Sequence, residues 1–177
     1  DPALTARSTL ERRHCERLRQ YLVAGGEANA RSFLAYCAHI VTGTEAPAPA
    51  VLLAKAGLYR DTSTADQPLA AITFYRSVLE GAQTAPIDAL VDALATRGIG
   101  CKAIHVASLK DAASVFFIAE ALNSSHPDVI LNATSFAVAS GGTADPLAAF
   151  DCPVLQVVLA GAAEEAWQAG SQGMNAR

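Results

Sequence analysis

Apolar residues recur at helical spacing in two stretches near the start of the chain. The first predicts a helix that ends at Gly25-Gly26, and the second predicts a helix from about Glu27 to Val41 that ends before Gly43. Each pattern gives one apolar stripe, as expected for helices that pack against a neighbour. The stripe residues are Leu10, His14, Leu18, Tyr21 and Leu22 in the first helix, and Ala30, Phe33, Leu34, Cys37, Ile40 and Val41 in the second.

Two linker patterns follow these helices. Ala46-Pro47-Ala48-Pro49 is predicted to be stiff, because each proline biases the preceding residue towards extended backbone. Residues 61–68 are polar and form a second linker. We therefore predict a helical segment at 1–46, a linker with a short strand at 47–68, and an α/β domain at 69–177.

From residue 69 onwards, strand and helix patterns alternate. The continuous apolar run 69–75 is typical of a strand that is buried on both faces. Strand–helix repeats predict a parallel sheet with right-handed crossovers. The interpretation is a flavodoxin-like doubly wound sheet with strand order 2-1-3-4, preceded by the two helices and incomplete at its C-terminus. Further strands are predicted at 102–107, 128–132 and 153–158, and helices at 85–97, 111–124 and from 164.

The amino-acid composition predicts an unusually apolar surface. The 177 residues are 51% hydrophobic and 17% charged, with a net charge of −4. So apolar a chain indicates that a larger protein covers part of the surface. The chain starts without Met, and its single Met is Met174. We expect a piece of a longer polypeptide.

The charges are uneven along the chain. Residues 1–60 carry eight Lys/Arg against five Asp/Glu, and residues 61–177 carry five against twelve. The basic residues of the first helix alternate with Glu11 and Glu16, which favours a solvated helix face over a nucleic-acid patch. We predict no nucleic-acid partner. The basic residues are Arg7, Arg12, Arg13, Arg17 and Arg19.

The four cysteines are scattered and show no metal-binding spacing. No signal-peptide pattern is present, and the apolar run near 152–163 is too short to span a bilayer. We expect reduced thiols, a cytoplasmic location and no membrane. His14, Cys15, Cys37 and His39 could be combined into a zinc site, but adjacent residues on a helix point about 100° apart. Packed cysteines are favoured over a metal site.

Polar residues gather where three predicted strands end. In an open α/β sheet, ligands bind beyond the carboxyl ends of the strands, where the strand order reverses. The walls of this crevice are 76–84, 132–136 and 159–161. Structural roles are the alternative, with Thr84 as a helix cap and Asn132 and Gln156 satisfying backbone groups. The candidate substrate-binding residues are Arg76, Ser77, Gln83, Thr84, Asn132, Thr134 and Gln156.

Motifs for nucleotide binding and nucleophilic catalysis are missing from the sequence. Gly141-Gly142-Thr143 lacks the Lys of a phosphate-binding loop, and no G-x-G-x-x-G follows the first strand. His105 is predicted to be packed, and His126 precedes a proline in a turn. The carboxylates Asp88 and Asp92 share a helix face that is predicted to be solvated. We therefore expect the chain alone to bind no cofactor and to be catalytically inactive.

Longer segments of the sequence resemble the large subunit of the cobaltochelatases. The resemblance covers nearly the whole chain, in order, and corresponds to the N-terminal region of that subunit. The magnesium-chelatase large subunit shares the strand–helix frame and the Arg-Ser after the first strand, but the LNAT and LQVVLAG segments are more similar to the cobalt branch. The segments are YLVAGGEANARSFLAYCAHI, LLAKAGLY, AITFYRSVLEGAQTAPIDALVDALATRGI, SLKD, PDVILNATSFAV and CPVLQVVLAGAAEEAW.

This resemblance implies a role in cobalamin (vitamin B12) synthesis. The implied reaction is the ATP-driven insertion of Co(II) into hydrogenobyrinic acid a,c-diamide, with cobalt and Mg-ATP used by the full complex. The implied partners are an AAA+ ATPase subunit, a subunit with an adhesion-type domain and the corrinoid substrate. The metal-insertion residues of the family are expected downstream of this piece, so no catalytic residue is assigned. The alternatives are a magnesium-chelatase domain and a small-ligand or interaction module of flavodoxin-like fold.

Overall fold

The computed structural model describes residues 7–134, 145–159 and 164–169. It divides into two compact units. The helical unit comprises Asp1–Ala54 and Ser77–Gln83, and the sheet unit comprises Lys55–Arg76 and Thr84–Arg177. The domain limits expected from the sequence stay a prediction.

The helical unit is built on two packed helices, α1 (Arg12–Ala24) and α2 (Gly26–Thr42). Gly25 joins them with φ 65° and ψ −174°, a conformation that is open almost only to glycine. A Cβ at Gly25 would lie 2.9 Å from the Cβ of Glu80, the last residue of the short helix α3 (Arg76–Glu80). Glycine is therefore required here by both the backbone angle and the close approach.

Residues 43–54 after α2 form no helix or strand, and polar side chains of both helices bond to this segment. The Tyr21 hydroxyl donates to the Ala48 carbonyl over 2.6 Å. The Asn29 side chain accepts from the Val51 amide at 3.0 Å and donates to its carbonyl at 2.8 Å. The sequence predicted a stiff linker in this stretch, and the structure shows its backbone held by α1 and α2.

The sheet unit contains one five-stranded sheet in the order β1-β3-β2-β4-β5. β2, β3, β4 and β5 are parallel to one another, whereas β1 runs antiparallel to β3. The strands are β1 (Ala56–Asp61), β2 (Leu69–Tyr75), β3 (Gly100–Val106), β4 (Val129–Ala133) and β5 (Val154–Gln156).

This sheet departs in part from the predicted four-stranded order. The sequence places a short strand in the linker but does not predict that it joins the sheet beside β3. Thr62 extends the pairing of β1, since its amide donates to the Cys101 carbonyl and its hydroxyl accepts from the Cys101 amide. The addition makes the sheet mixed rather than fully parallel, and the flavodoxin-like arrangement is not confirmed.

Helices cover the sheet from two sides. On α5 (Ala112–Asn123), Ile118 and Leu122 join Ala71, Ile104 and Ile130 in one buried cluster. On the other side of β2 lies Phe74, since alternate strand residues point to opposite faces. The Tyr59 ring is edge-on to Phe74, and its hydroxyl donates to Asp88 on α4 (Ala85–Thr96).

Two shorter elements complete the described chain. A 3₁₀ turn spans Ala148–Phe150, and the last helix, α6, spans Glu164–Ala169. No helix within the described residues is long and apolar enough to cross a bilayer.

Candidate functional site

β2 and β4, whose ends were predicted to form the crevice, end side by side. The two strands are parallel neighbours, with Thr73 paired to Asn132 and Phe74 to Ala133. The sequence expectation that these two strand ends adjoin is therefore met. Polar residues after parallel strands are brought to this same edge of the sheet.

Asn132 is the centre of a buried polar network at this edge. Its Oδ1 accepts from the Thr73 hydroxyl at 3.0 Å, from the Thr134 amide at 3.1 Å and from the Thr134 hydroxyl at 2.6 Å. The three residues are almost completely buried. Buried polar groups need such partners, so the network fixes the orientation of the Asn132 amide.

Gln156 joins this network from β5. Its Nε2 donates to the Asn132 backbone carbonyl at 2.8 Å, and its Oε1 accepts from Asn132 Nδ2 at 3.1 Å. Gln156 itself is exposed. Three predicted site residues, Asn132, Thr134 and Gln156, are thus brought together by bonds among themselves, and a ligand-binding role for them stays a prediction.

The other predicted site residues follow β2. Arg76 is half-buried and begins α3, while Ser77 and Gln83 are exposed members of the helical unit. The Ser77 carbonyl accepts from the Gly81 amide, and the Gln83 amide donates to the Val78 carbonyl, so this loop is closed by its own backbone. The remaining predicted wall residues, 135–136 and 160–161, lie outside the described residues.

Thr84 occupies the position before α4, as predicted, but does not cap the helix through its side chain. Its backbone is already in a helical conformation, with φ −80° and ψ −14°, which differs from the extended backbone of a capping residue. Its side chain hydrogen-bonds to the Asp88 carboxylate instead. The predicted cap bond is therefore wrong.

Asp88 and Asp92 do not form the simple solvated pair expected from the sequence. Arg60 on β1 bridges them, with Nη1 3.1 Å from Asp88 Oδ1 and Nη2 2.9 Å from Asp92 Oδ1. Partial burial acts to raise the pKa of Asp88, but hydrogen bonds from Arg60, Tyr59 and Thr84 together lower it. The cluster ties the edge strand to α4.

Among the described residues, His105 and Cys101 are buried, the other cysteines with His14 and His39 are half-buried, and His126 is exposed. His105 is buried beside the Phe74 ring, as the sequence predicted. Burial raises the pKa of the Cys101 thiol to about 12, which leaves it protonated and unreactive at neutral pH. His14 Nδ1 lies 3.0 Å from the Tyr36 hydroxyl. Within the described ranges, no three metal-binding side chains come together.

A pocket in the helical unit was missed by the sequence analysis. It has a volume of about 370 Å³ and is lined on α1 by Arg13, Glu16, Arg17 and Gln20. These residues recur at i, i+3, i+4 and i+7, the spacing of one helix face. The sequence assigned the Arg-rich face of this helix to solvent. The residue that could have indicated the pocket is the aromatic Tyr36 on α2, because the turn at Gly25 places it opposite the Arg-rich face of α1.

The chain matches a known family of metal chelatases. The family model described as CobN/Magnesium Chelatase matches residues 19–177, and the chain belongs to this family. It is 36% identical to the aerobic cobaltochelatase subunit CobN of Sinorhizobium sp and 33% identical to that of Pseudomonas aeruginosa. All of the chain is covered in both comparisons, but only 16% and 15% of the relatives, so it spans about a sixth of their length.

A solved structure agrees with this assignment. The catalytic subunit of cobaltochelatase from Mycobacterium tuberculosis superposes with a TM-score of 0.77 at 25% identity. The match covers 98% of this chain and 16% of that subunit. The resemblance inferred from the sequence motifs is confirmed at the level of the family.

Proposed function

We propose that this chain is a scaffold and substrate-embracing domain of the large, tetrapyrrole-binding subunit of an ATP-dependent cobaltochelatase. The observation that carries the proposal is the 36% identity over the entire chain to a CobN subunit. In this proposal the complete protein inserts Co(II) into hydrogenobyrinic acid a,c-diamide in the cytoplasm. It works with an AAA+ ATPase subunit and a subunit that carries an adhesion-type domain.

Cobalt is preferred over magnesium as the inserted metal in this proposal. The family model covers both branches, but both curated relatives and the solved structure are named as cobaltochelatase. Insertion of Mg²⁺ into protoporphyrin remains the alternative reaction. We assign the metal-insertion residues to other parts of the subunit, and this domain to holding the substrate or its neighbouring domains.

The substrate sets the chemistry that such a domain must offer. A corrinoid acid is a flat apolar ring fringed with carboxylates, so it needs an apolar wall and anion-binding groups at the rim. The candidates for the rim are Arg76, Ser77 and Gln83 after β2, Thr84 at the start of α4, and the exposed Gln156. The free N–H groups at the start of α4 favour an anion. Asn132 and Thr134 are proposed to support Gln156 from below, since they are buried and bonded to one another.

Binding of substrate by this domain can be tested directly. The purified chain is titrated with hydrogenobyrinic acid a,c-diamide, and the corrinoid absorbance is followed. We expect a saturable spectral shift. If binding is seen only with the full-length subunit, the domain is a scaffold and does not embrace the substrate.

The proposed rim contact is tested in the full-length subunit with Arg76→Gln. A lost charge-assisted hydrogen bond should weaken corrinoid binding by about 1.5–3 kcal/mol. Arg97→Gln is the matched control, because Arg97 lies at the far end of α4 and donates to a backbone carbonyl. Unchanged binding with lowered stability in Arg76→Gln would assign Arg76 to packing.

The metal branch is tested with the full-length subunit and its two partner subunits. Co²⁺ with the corrinoid acid is compared with Mg²⁺ and protoporphyrin, each with and without ATP. Expected is ATP-dependent insertion of cobalt only. Insertion of magnesium into the porphyrin would overturn the assignment to the cobalt branch.

A further inference from the structure

The pocket in the helical unit, on α1 and α2, contains a positive charge that the sheet-edge site does not use. Besides the four α1 residues, its lining includes Tyr36 and His39 on α2. Its volume of about 370 Å³ is within the range of small-molecule sites. Every lining residue belongs to the helical unit, so the pocket is complete within that unit.

Arg17 is held in one orientation in this pocket. Its Nε donates to the Tyr21 hydroxyl at 3.0 Å, and its Nη2 donates to the Pro47 carbonyl at 3.2 Å. The guanidinium carbon lies 5.4 Å from the centre of the Tyr21 ring and 5.8 Å from that of Tyr36. Rings at such distances favour a cation. The side chain is therefore preorganised before any ligand arrives.

The charge of Arg17 is not neutralised by these contacts. A guanidinium has five N–H donors, of which two are used here, and both acceptors are uncharged. The other charges of the pocket are paired locally, Arg13 with Glu11 at 3.0 Å and Glu16 with Arg12 at 2.7 Å. Among the described contacts of the pocket, Arg17 is thus the cation whose partners are all neutral.

We propose that this pocket binds an oxyanion, a carboxylate or a phosphate group, on the guanidinium of Arg17. The planar fork of arginine matches both groups. The Gln20 amide adds a donor beside it. His39 also lines the pocket, but its Nδ1 donates to the Thr44 carbonyl, so Nε2 of the neutral ring is an acceptor and adds nothing to anion binding. The site is independent of the proposed chelatase reaction.

The test uses the 177-residue chain with inorganic phosphate and with succinate as separate probes. NMR of the arginine Nε–H groups follows Arg17 at constant ionic strength, with chloride replaced by the probe. Constant ionic strength matters because non-specific attraction to a basic helix is screened by salt. Expected is a saturable shift of the Arg17 signal, and the tighter probe identifies the ligand class as carboxylate or phosphate.

A matched pair of variants separates the site from general charge. Arg17→Gln and Arg19→Gln each remove one charge from α1, but Arg19 is exposed and does not line the pocket. Arg17→Gln should weaken binding at least tenfold and Arg19→Gln less than twofold. Equal weakening by both, or no saturation with either probe, overturns the proposal.

A second variant keeps the test valid if Arg17→Gln fails to fold. Ala46 also lines the pocket and is exposed, so Ala46→Leu fills the space and leaves every charge in place. Circular dichroism checks that the helices are retained. Loss of probe binding in Ala46→Leu supports the pocket, and unchanged binding overturns it.

Discussion

Different interactions stabilise the interior of the helical unit and the interior of the sheet unit. In the sheet unit, β2 is buried along Leu69–Phe74 and joins an apolar core with β3, β4 and α5. In the helical unit, the large residues Leu34 and Val41 of α2 are 68% and 83% exposed. Its buried positions include Tyr21, Asn29 and Tyr36, whose polar atoms all make hydrogen bonds.

This difference shows that apolar periodicity predicts a core only where the helix is covered. The sheet unit buries one contiguous apolar cluster within itself, although Leu58, Phe116 and Leu155 on its surface are exposed. The helical unit uses side-chain bonds to the backbone of 47–51, which are directional but contribute only about 1 kcal/mol each. Its uncovered apolar residues suit contact with other parts of a protein whose relatives are about six times longer.

The largest expected effect lies in the sheet unit, at Asn132. Asn132→Leu removes the acceptor of three buried donors, on Thr73 and Thr134, and should lower the free energy of unfolding by about 3 kcal/mol. Hydrogen exchange of peptides from β2 and β4 localises the loss. Thr73→Val, which removes one donor and keeps the shape, should cost far less. A near-neutral Asn132→Leu would mean that the apolar core alone holds this edge.

The next effect concerns the turn between α1 and α2. Gly25→Ala should destabilise the helical unit by about 2 kcal/mol, because the new Cβ meets Glu80 and the backbone angles are open almost only to glycine. Thermal unfolding followed by circular dichroism measures it. Gly43→Ala is the control, since Gly43 also has positive φ but has open space around it. Equal costs at both glycines would show that neither the close approach to Glu80 nor the backbone angles of Gly25 add to the ordinary cost of a positive φ.

A smaller loss of stability is expected when the side-chain hydrogen bonds to segment 43–54 are removed. Asn29→Ala removes the bonds to Val51 and should cost about 1–2 kcal/mol, with faster proteolysis near residues 47–54. Mass spectrometry of the cleavage products locates the released segment. Thr42→Ala, which removes a hydroxyl bonded to the Ala38 carbonyl and to the Thr44 hydroxyl but not to residues 47–54, should leave proteolysis there unchanged. If residues 47–54 of Asn29→Ala resist proteolysis as well as those of the parent, contacts other than the Asn29 bonds keep this segment in place.

The smallest effect is the pH-dependent tie between β1 and α4. The pKa of Asp88 is lowered in the fold, so its contribution to stability is present above the ordinary carboxyl value of about 3.9 and is lost as pH falls through the lowered value. Arg60→Gln should therefore be destabilising at pH 7, and its difference from the parent should shrink at low pH. Urea midpoints at several pH values measure this. Arg97→Gln should show a difference from the parent that does not change with pH.

Much of the sheet unit could be predicted from the sequence because burial and pattern coincide there. The run 69–75 is continuous and apolar, and it forms β2. The helix predicted at 111–124 forms α5, on which Ile118 and Leu122 are buried. The place of β1 in the sheet was harder to predict, because its residues do not alternate between buried and exposed. A register shift between Leu58 and Arg60 also interrupts its pairing with β3.

The candidate site was predictable only in part. Strand ends and polar residue types placed Asn132, Thr134 and Gln156 near one another, because parallel strands end at one edge. The partner of Asp88 could not be found in this way, since Arg60 is 28 residues away in the chain and reaches it only through the antiparallel edge strand. The predicted stripe of α2 likewise could not show that Leu34 and Val41 would stay exposed.

The antiparallel edge strand has a consequence for self-association. An outermost strand presents unpaired backbone groups that can template another chain. β1 is interrupted by the register shift between Leu58 and Arg60, and its last two residues are the charged Arg60 and Asp61. A bulged, charged rim is a poor template for a second sheet. By covering β3, this short strand replaces one edge of the parallel sheet with a rim that is poorly suited to pairing with a second chain.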